Sequence, residues 1–423
     1  MKKKSPLSAF LSLLLLSTLL VTFLAVPAHA ALSWNVEIVD ANANGIGNGY
    51  WRIAVDSNDN PHITYDGAYN VQTGQRTGYA SWNGSGWSTQ ERPNSFICDF
   101  ALDANGKPHI IYETGGALFY ASWTGKEWET QTVTSNHNLV YASLALDSDG
   151  SPHVAYNDGE GLKYASWTGS SWNIQTVDPN PSPVIQSIVS LALDSNDTPY
   201  IMYFNQSTYK DEVRTYSLVR VRLAVLKDSG WSIEPVLDSY NLSDCWNMVL
   251  DSNGYPRFLC TLPQPPTHLS TLLYASWNGV AWNTQTVVSD TSLDSMGFLA
   301  LDSHDNPSVA YIDSDVEVTY ANWTGTDWGI QNAGAVPYAK GPCYLALDSK
   351  GIPHISFRGY TKGQAHGLFN ATSFYATATE STGPTQPPSP TSPPSPALPL
   401  LIVSAAVIIG AIIITVYFKK RKR

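Results

Sequence analysis

One short pattern recurs seven times along this chain: an apolar stretch ending in Asp, a tight polar turn, then Pro and an apolar stretch that most often closes on Tyr. The copies span residues 53–65, 100–112, 144–156, 191–203, 248–260, 299–311 and 345–357, with the Asp at 56, 103, 147, 194, 251, 302 and 348. Successive Asp residues are 47, 44, 47, 57, 51 and 46 apart. A period of that length belongs to the blades of a propeller, because each unit buries its apolar faces only against its neighbours.

The second half of each unit repeats as plainly. Tyr-Ala-Ser-Trp stands at 79–82, 120–123, 164–167 and 274–277, Tyr-Ala-Asn-Trp stands at 320–323, and a further Trp follows at 87, 128, 172, 231, 282 and 328. In the third unit, 143–147 and 152–156 flank a Ser-Asp-Gly turn, 162–167 forms a third strand and 172–177 a fourth, four antiparallel strands with no helix. The expected fold is all-β, a seven-bladed β-propeller. The seventh unit has no fourth strand after 368–372. Its counterpart lies at the other end of the chain, where residues 33–40 (SWNVEIVD) match 171–178 (SWNIQTVD). An N-terminal strand that completes the last blade closes the ring and removes the open edges.

The repeat also says which residues serve the blade. Of 14 Trp, seven are fourth-strand and five third-strand residues, leaving Trp51 and Trp246 outside the pattern. His62, His109, His153 and His354 follow the repeat Pro, where Tyr200, Arg257 and Ser308 replace His, so each is expected to hydrogen-bond the Asp of its own blade. Histidines spread around a ring do not converge on a metal, and neither metal nor cofactor is expected. Cys245 and Cys260 stand on the two arms of one hairpin, near enough in register for a disulfide, with buried thiols the alternative; Cys98 and Cys343 lie too far apart for one.

The ends place the propeller outside a cell. Residues 1–30 have a basic start, an apolar run and an Ala-His-Ala stop, the marks of a cleaved secretory signal. The propeller is assigned to 31–376, a Pro/Ser/Thr-rich stalk to 377–396, a single transmembrane helix to the uncharged residues 397–418, and a basic cytoplasmic tail to 419–423. Of 24 Lys and Arg, three stand in 2–4 and five in the tail, which leaves 16 against 35 Asp and Glu, a charge near −19 outside the membrane. Such a surface repels phosphate backbones and excludes nucleic acid as a partner. Six Asn-x-Ser/Thr sequons accord with an extracellular location, and the ectodomain is read as a monomer.

The turns inside each blade are uniform, whereas the connections between second and third strands, and between blades, vary in length and composition, and recognition concentrates in such loops. At their end of the ring, four residues before each repeat Asp stand Arg52, Asp99, Ser143, Ser190, Asn247, Phe298 and Tyr344. The candidate ligand-binding residues are Trp51, Arg52, Asp99, Glu113, Trp246, Asn247 and Arg358, a mix of aromatic, amide and charged groups suited to a glycan, a peptide or an envelope protein. The structural alternative is that Arg52 and Asp99 pair across neighbouring blades and the aromatics plug the channel.

The repeat style and the Thr-Gly-Ser-Ser-Trp turn at 168–172 resemble the sialidase-like and lectin-like propellers across about residues 31–376. The resemblance implies the fold and, as an alternative function, a glycoside hydrolase or lyase using Asp66, Asp99 and Glu113 as its carboxylates. The Ser-x-Asp-x-Gly-x-x-Trp box of sialidases is absent, and Arg52 and Arg358 have no evident third arginine beside them. A purely structural envelope component is the remaining reading.

Overall fold

The computed structural model of the protein describes residues 32–40, 51–66, 76–93, 96–135, 142–179, 189–210, 215–239, 244–264, 269–291, 293, 297–313, 317–334, 339, 341–359 and 372–380. The signal, transmembrane and tail segments read from the sequence lie outside these residues, as does the stalk beyond 380.

Twenty-eight strands form seven four-stranded antiparallel sheets, and no helix occurs among the described residues. Six sheets are consecutive in the chain, and the innermost strands of the seven are Arg52–Val55, Phe96–Leu102, Ala142–Leu146, Val189–Leu193, Asp244–Leu250, Phe298–Leu301 and Tyr344–Leu347. Burial follows strand position. In the sixth blade every residue of the second strand, Pro307–Ile312, is buried between the adjoining sheets, whereas the outer strand Trp172–Asp178 exposes Asn173, Ile174 and Thr176.

The seventh sheet is assembled from both ends of the described residues: Tyr344–Leu347, Pro353–Gly359, Thr372–Glu380, and outermost Leu32–Asp40. Trp34 pairs with Ala378 and Val36 with Ala376, so the N-terminal strand closes the ring as the repeat predicts. Two boundaries move. The third strand is Thr372–Glu380 rather than 368–372, and it continues four residues past the expected propeller limit at 376. Its alternating Thr and Ala residues pair on one side with Pro353–Gly359 and on the other with Leu32–Asp40, an extension that satisfies their backbone groups within the sheet.

The repeat Asp is first a turn former. In every blade its Oδ1 accepts main-chain hydrogen bonds from the residues two and four positions on, at 2.8 Å each for Asp56 and 3.0 and 2.7 Å for Asp147. The residue three positions on is in the left-handed region, Gly in four blades and Asp59, Asp197 and Asp305 in the others. Those three aspartates offset that strain by binding the turn of the preceding blade: Ser252 donates to Asp305 from its main-chain N at 2.9 Å and from its hydroxyl at 2.6 Å.

The expected Asp–His bond is made well once. His153 Nε2 lies 3.2 Å from Asp147, while His62, His109 and His354 stand 3.5, 3.8 and 3.7 Å from their aspartates. The shorter contact of each imidazole is with the third-strand Tyr hydroxyl, 2.5 Å for His62 and Tyr79 and 2.6 Å for His354 and Tyr375. Arg257 bonds both Asp251 and Tyr274 in the fifth blade, and Ser308 meets Tyr320 in the sixth. Burial pushes the pKa of His62, His109 and His354 down, so these rings are held neutral.

Blades are joined by the fourth-strand Trp, which packs edge-on against the third-strand Tyr of the preceding blade. Trp128 meets Tyr79, Trp172 meets Tyr120, Trp231 meets Tyr164, and across the closure Trp87 meets Tyr375 and Trp34 meets Tyr320, with centroids 5.1–5.9 Å apart. Cys98, Cys260 and Cys343 are free buried thiols, and Cys260 stands opposite Cys245 in register.

Candidate functional site

The innermost strands begin at the end of the ring that receives the connections of variable length, and there all seven blades line one axial cavity of about 230 Å³. Arg52, Asp99, Ser143, Ser190, Asn247, Phe298 and Tyr344, the residues four before each repeat Asp, all contribute to its wall.

Most of their polar atoms tie one blade to the next. Asp99 accepts from the main-chain N of Leu144 at 2.9 Å, Ser143 from Leu191 at 3.1 Å, Ser190 from Met248 at 3.0 Å and Asn247 from Leu299 at 2.8 Å. Each side chain satisfies a buried N–H that the neighbouring sheet leaves open. In the last two blades aromatic rings take over: Phe298 and Tyr344 have centroids 3.8 Å apart, and the Arg52 guanidinium lies 4.6 Å from the Tyr344 ring centre and 5.6 Å from that of Phe298.

Arg52 and Asp99 make a charge-assisted bond, Nε to Oδ1 at 2.9 Å. Asp99 also accepts from the Phe100 main-chain N and the Ser143 hydroxyl, both at 2.9 Å, so four donors including Leu144 N occupy its two oxygens. The cross-blade pairing weighed from sequence is therefore present. A carboxylate so fully engaged holds blades together and is poorly placed to take up a proton from a substrate.

Two groups at the cavity retain unused donors. The hydroxyl of Ser190 and the Nδ2 amide of Asn247 have no hydrogen-bond acceptor among the described residues, although the oxygens of both accept one bond. Asn247 has φ +49°, outside the repeated turns the one non-glycine residue described in the left-handed region, and it sits where the pairing register slips between Trp246 and Val249. That bulge turns the Asn247 side chain to the axis and costs backbone strain.

The other candidates lie apart. Trp51 is 2% exposed, its indole N–H donating to Ser373 Oγ at 3.2 Å and the Arg358 guanidinium 5.8 Å from its ring centre. It fills the junction of the seventh and first blades, so its ring offers no open face for stacking, which corrects the ligand-binding role expected of it. Glu113 is half-buried at the end of the second strand of blade two, opposite Phe96, and burial raises its pKa. The side chains of Asp66 and Trp246 lie outside the described residues. Of the seven expected binding residues, the structure brings Arg52, Asp99 and Asn247 together at the cavity. Sequence reasoning left Ser190, Phe298 and Tyr344 out of the site although their shared offset from the repeat Asp marked them.

By sequence, no protein-family model and no curated protein matches the chain. Among solved structures, the polysaccharide lyase Uly1 superposes with a TM-score of 0.55 at 11% identity, covering 80% of this chain and 91% of the lyase. The SapL1 lectin, solved with alpha methyl fucoside, gives 0.44 at 13% identity over 70% of this chain and 99% of the lectin. The β-propeller domain of the Trilobed protease from Pyrococcus furiosus gives 0.47 at 9% identity over 78% and 94%. At 11% identity the likeness to the lyase is one of fold alone, and the chain is a seven-bladed β-propeller with a fold similar to that structure.

Proposed function

We propose that this protein is an extracellular binding propeller, monomeric in its folded part and held at a membrane by its C-terminal segment, that takes a glycan at the variable end of the ring. The observation that supports this reading most is Asn247, a strained residue at a bulge with its amide donors unused beside an axial cavity. Strain of this kind survives selection where a site needs a particular group in a particular place. Ser190 adds a second free donor, and the tilted pair Phe298 and Tyr344 supplies an aromatic wall. Unused donors beside aromatic faces suit the hydroxyl and carbonyl oxygens of a sugar chain.

The test is an array of immobilised glycans probed with the full chain in detergent, comparing parent, Asn247→Gly and Ser190→Ala. Glycine keeps the left-handed backbone and deletes only the amide. The reading expects at least one glycan class bound by the parent and lost tenfold or more in Asn247→Gly, measured at a temperature where the variant is fully folded, since the change also removes the acceptor of Leu299 N. Equal binding by both variants would refute it. For the anchor, protease treatment of intact cells should release a soluble propeller by cutting between 381 and 396. Failure to release it, with the same segment cleaved in detergent, would reject an external propeller on a stalk.

A further inference from the structure

The closure makes one junction of the ring unlike the others. In five blades the outer strand pair ends in a turn at facing tryptophans, as at Trp82 and Trp87 or Trp167 and Trp172. The seventh blade has no turn there because its outer strands, Leu32–Asp40 and Thr372–Glu380, come from opposite ends of the described residues. Their ladder continues past Trp34 and Ala378 to Leu32 and Glu380. The lengthened wall faces the first blade across a groove of about 590 Å³, lined on one side by Glu37, Tyr375 and Thr379 and on the other by Trp82 and Asp59.

A second departure coincides with it. In five blades the cross-strand partner of the third-strand Tyr is Gln, as in Tyr79 with Gln90 and Tyr164 with Gln175. Gln90 and Gln175 each accept the indole N–H of the next blade's Trp, at 3.3 and 3.2 Å. In the seventh blade the partner of Tyr375 is Glu37. Its carboxylate accepts from Asn35 Nδ2 at 2.7 Å, and the indole N–H of Trp87, which the scheme would assign to it, is buried with no hydrogen-bond partner. The groove also borders His354, whose side chain is 8% exposed and whose Nε2 has no hydrogen-bond partner. The indole N–H groups of Trp34, Trp172 and Trp328 are likewise buried without a partner, so what distinguishes this junction is a carboxylate opposite the third-strand Tyr that lines an open groove.

We propose that this closure groove binds one saccharide unit, neutral or amine-bearing, with the sugar's C–H face on the Trp82 indole and its hydroxyls donating to Glu37 and Asp59. An aromatic ring beside carboxylate acceptors matches the two faces of a pyranose, and the volume lies within the range of small-molecule sites, about 300–1,000 Å³. Glu37, Asp59 and Asp348 outnumber Lys350 among the charged lining groups, so an acidic sugar meets like charge. The site is separate from the axial cavity and does not depend on it.

The full chain in detergent is tested by saturation-transfer NMR against methyl β-glucopyranoside, methyl β-galactopyranoside and the methyl glycoside of N-acetylglucosamine, with methyl β-glucuronide as the acidic arm. At least one neutral glycoside should bind, and the glucuronide tenfold or more weaker. Trp82→Ala should weaken the neutral glycoside at least tenfold. Glu37→Gln, which installs the residue used in five other blades and so keeps the fold, should weaken it severalfold. The same changes elsewhere in the ring, Trp123→Ala and Glu234→Gln, should leave binding as in the parent, as should Asn247→Gly. The proposal is overturned if no neutral glycoside binds, if Trp82→Ala and Glu37→Gln both bind normally, if the glucuronide binds as well as the neutral sugars, or if Asn247→Gly abolishes the signal.

Discussion

Arg52 of the first blade and Asp99 of the second are joined by a 2.9 Å Nε–Oδ1 bond at the mouth of the axial cavity, with side chains only 21% and 14% exposed. The pair bridges two innermost strands that share no ladder, and Asp99 extends the bridge to a third through Ser143 and Leu144. Charged residues at a cavity mouth invite a catalytic reading; here their partners account for them.

Removing one member should therefore register as stability. Arg52→Met leaves Asp99 with three donors and no counter-ion, and partial exposure moderates the loss to about 2 kcal/mol. Urea unfolding followed by tryptophan fluorescence measures it, and a midpoint equal to the parent's would show that the pair contributes nothing to holding the blades.

The Trp172 ring lies edge-on to Tyr120 with centroids 5.7 Å apart. Trp172→Ala should cost about 3 kcal/mol of folding, because the indole fills the space between two sheets that have no backbone bonds to one another. Binding at the variable end should be unaltered once the variant is folded, which glycan-array signal at a temperature well below its melting point checks.

Deleting residues 32–40 removes the strand that pairs with Thr372–Glu380 and takes Trp34 from Tyr320. The exposed edge and the unfilled junction should abolish cooperative unfolding or cause aggregation. Calorimetry decides the matter, and a single sharp transition at the parent's temperature would mean that the ring closes without this strand.

Stability should fall as the solution is acidified, in two stages. His62, His109 and His354 are held neutral chiefly by burial, their pKa values below the ordinary 6.5. The unfolded chain thus binds protons first, and the folded state is at full stability above about pH 6.5 and loses it below, by at most about 1.4 kcal/mol per histidine per pH unit. Asp56 and Asp103 enter later. Burial opposes their charge, but hydrogen bonds from Asn60 and Asn58, and from Lys107 and Asn105, outweigh it and hold both below the usual 3.8. Their contribution is present above about pH 4 and is lost as pH falls through their folded-state values. Urea titrations from pH 7.5 to 3 measure the profile, and a midpoint constant between pH 7 and 5 would contradict the buried histidines.

The amino-acid sequence by itself determined the architecture. Seven Asp-turn units, five Tyr-Ala-(Ser/Asn)-Trp strands and the match of residues 33–40 to 171–178 specify seven blades and their closure, because local turn chemistry and strand patterning recur in every unit and leave one way to stack them. The same periodicity marked Arg52, Asp99 and Asn247 as sharing one end of the ring. Only the tertiary structure decided what these residues do. Trp51 stands outside the repeat and so suggested a binding face, yet it is buried because the seventh blade, built from distant parts of the chain, closes over it. The left-handed turn at Asn247, the saturation of Asp99 and the groove beside Glu37 all arise at contacts between blades, where residues tens to hundreds of positions apart meet. A repeat describes the inside of each unit, and the sites lie where units meet.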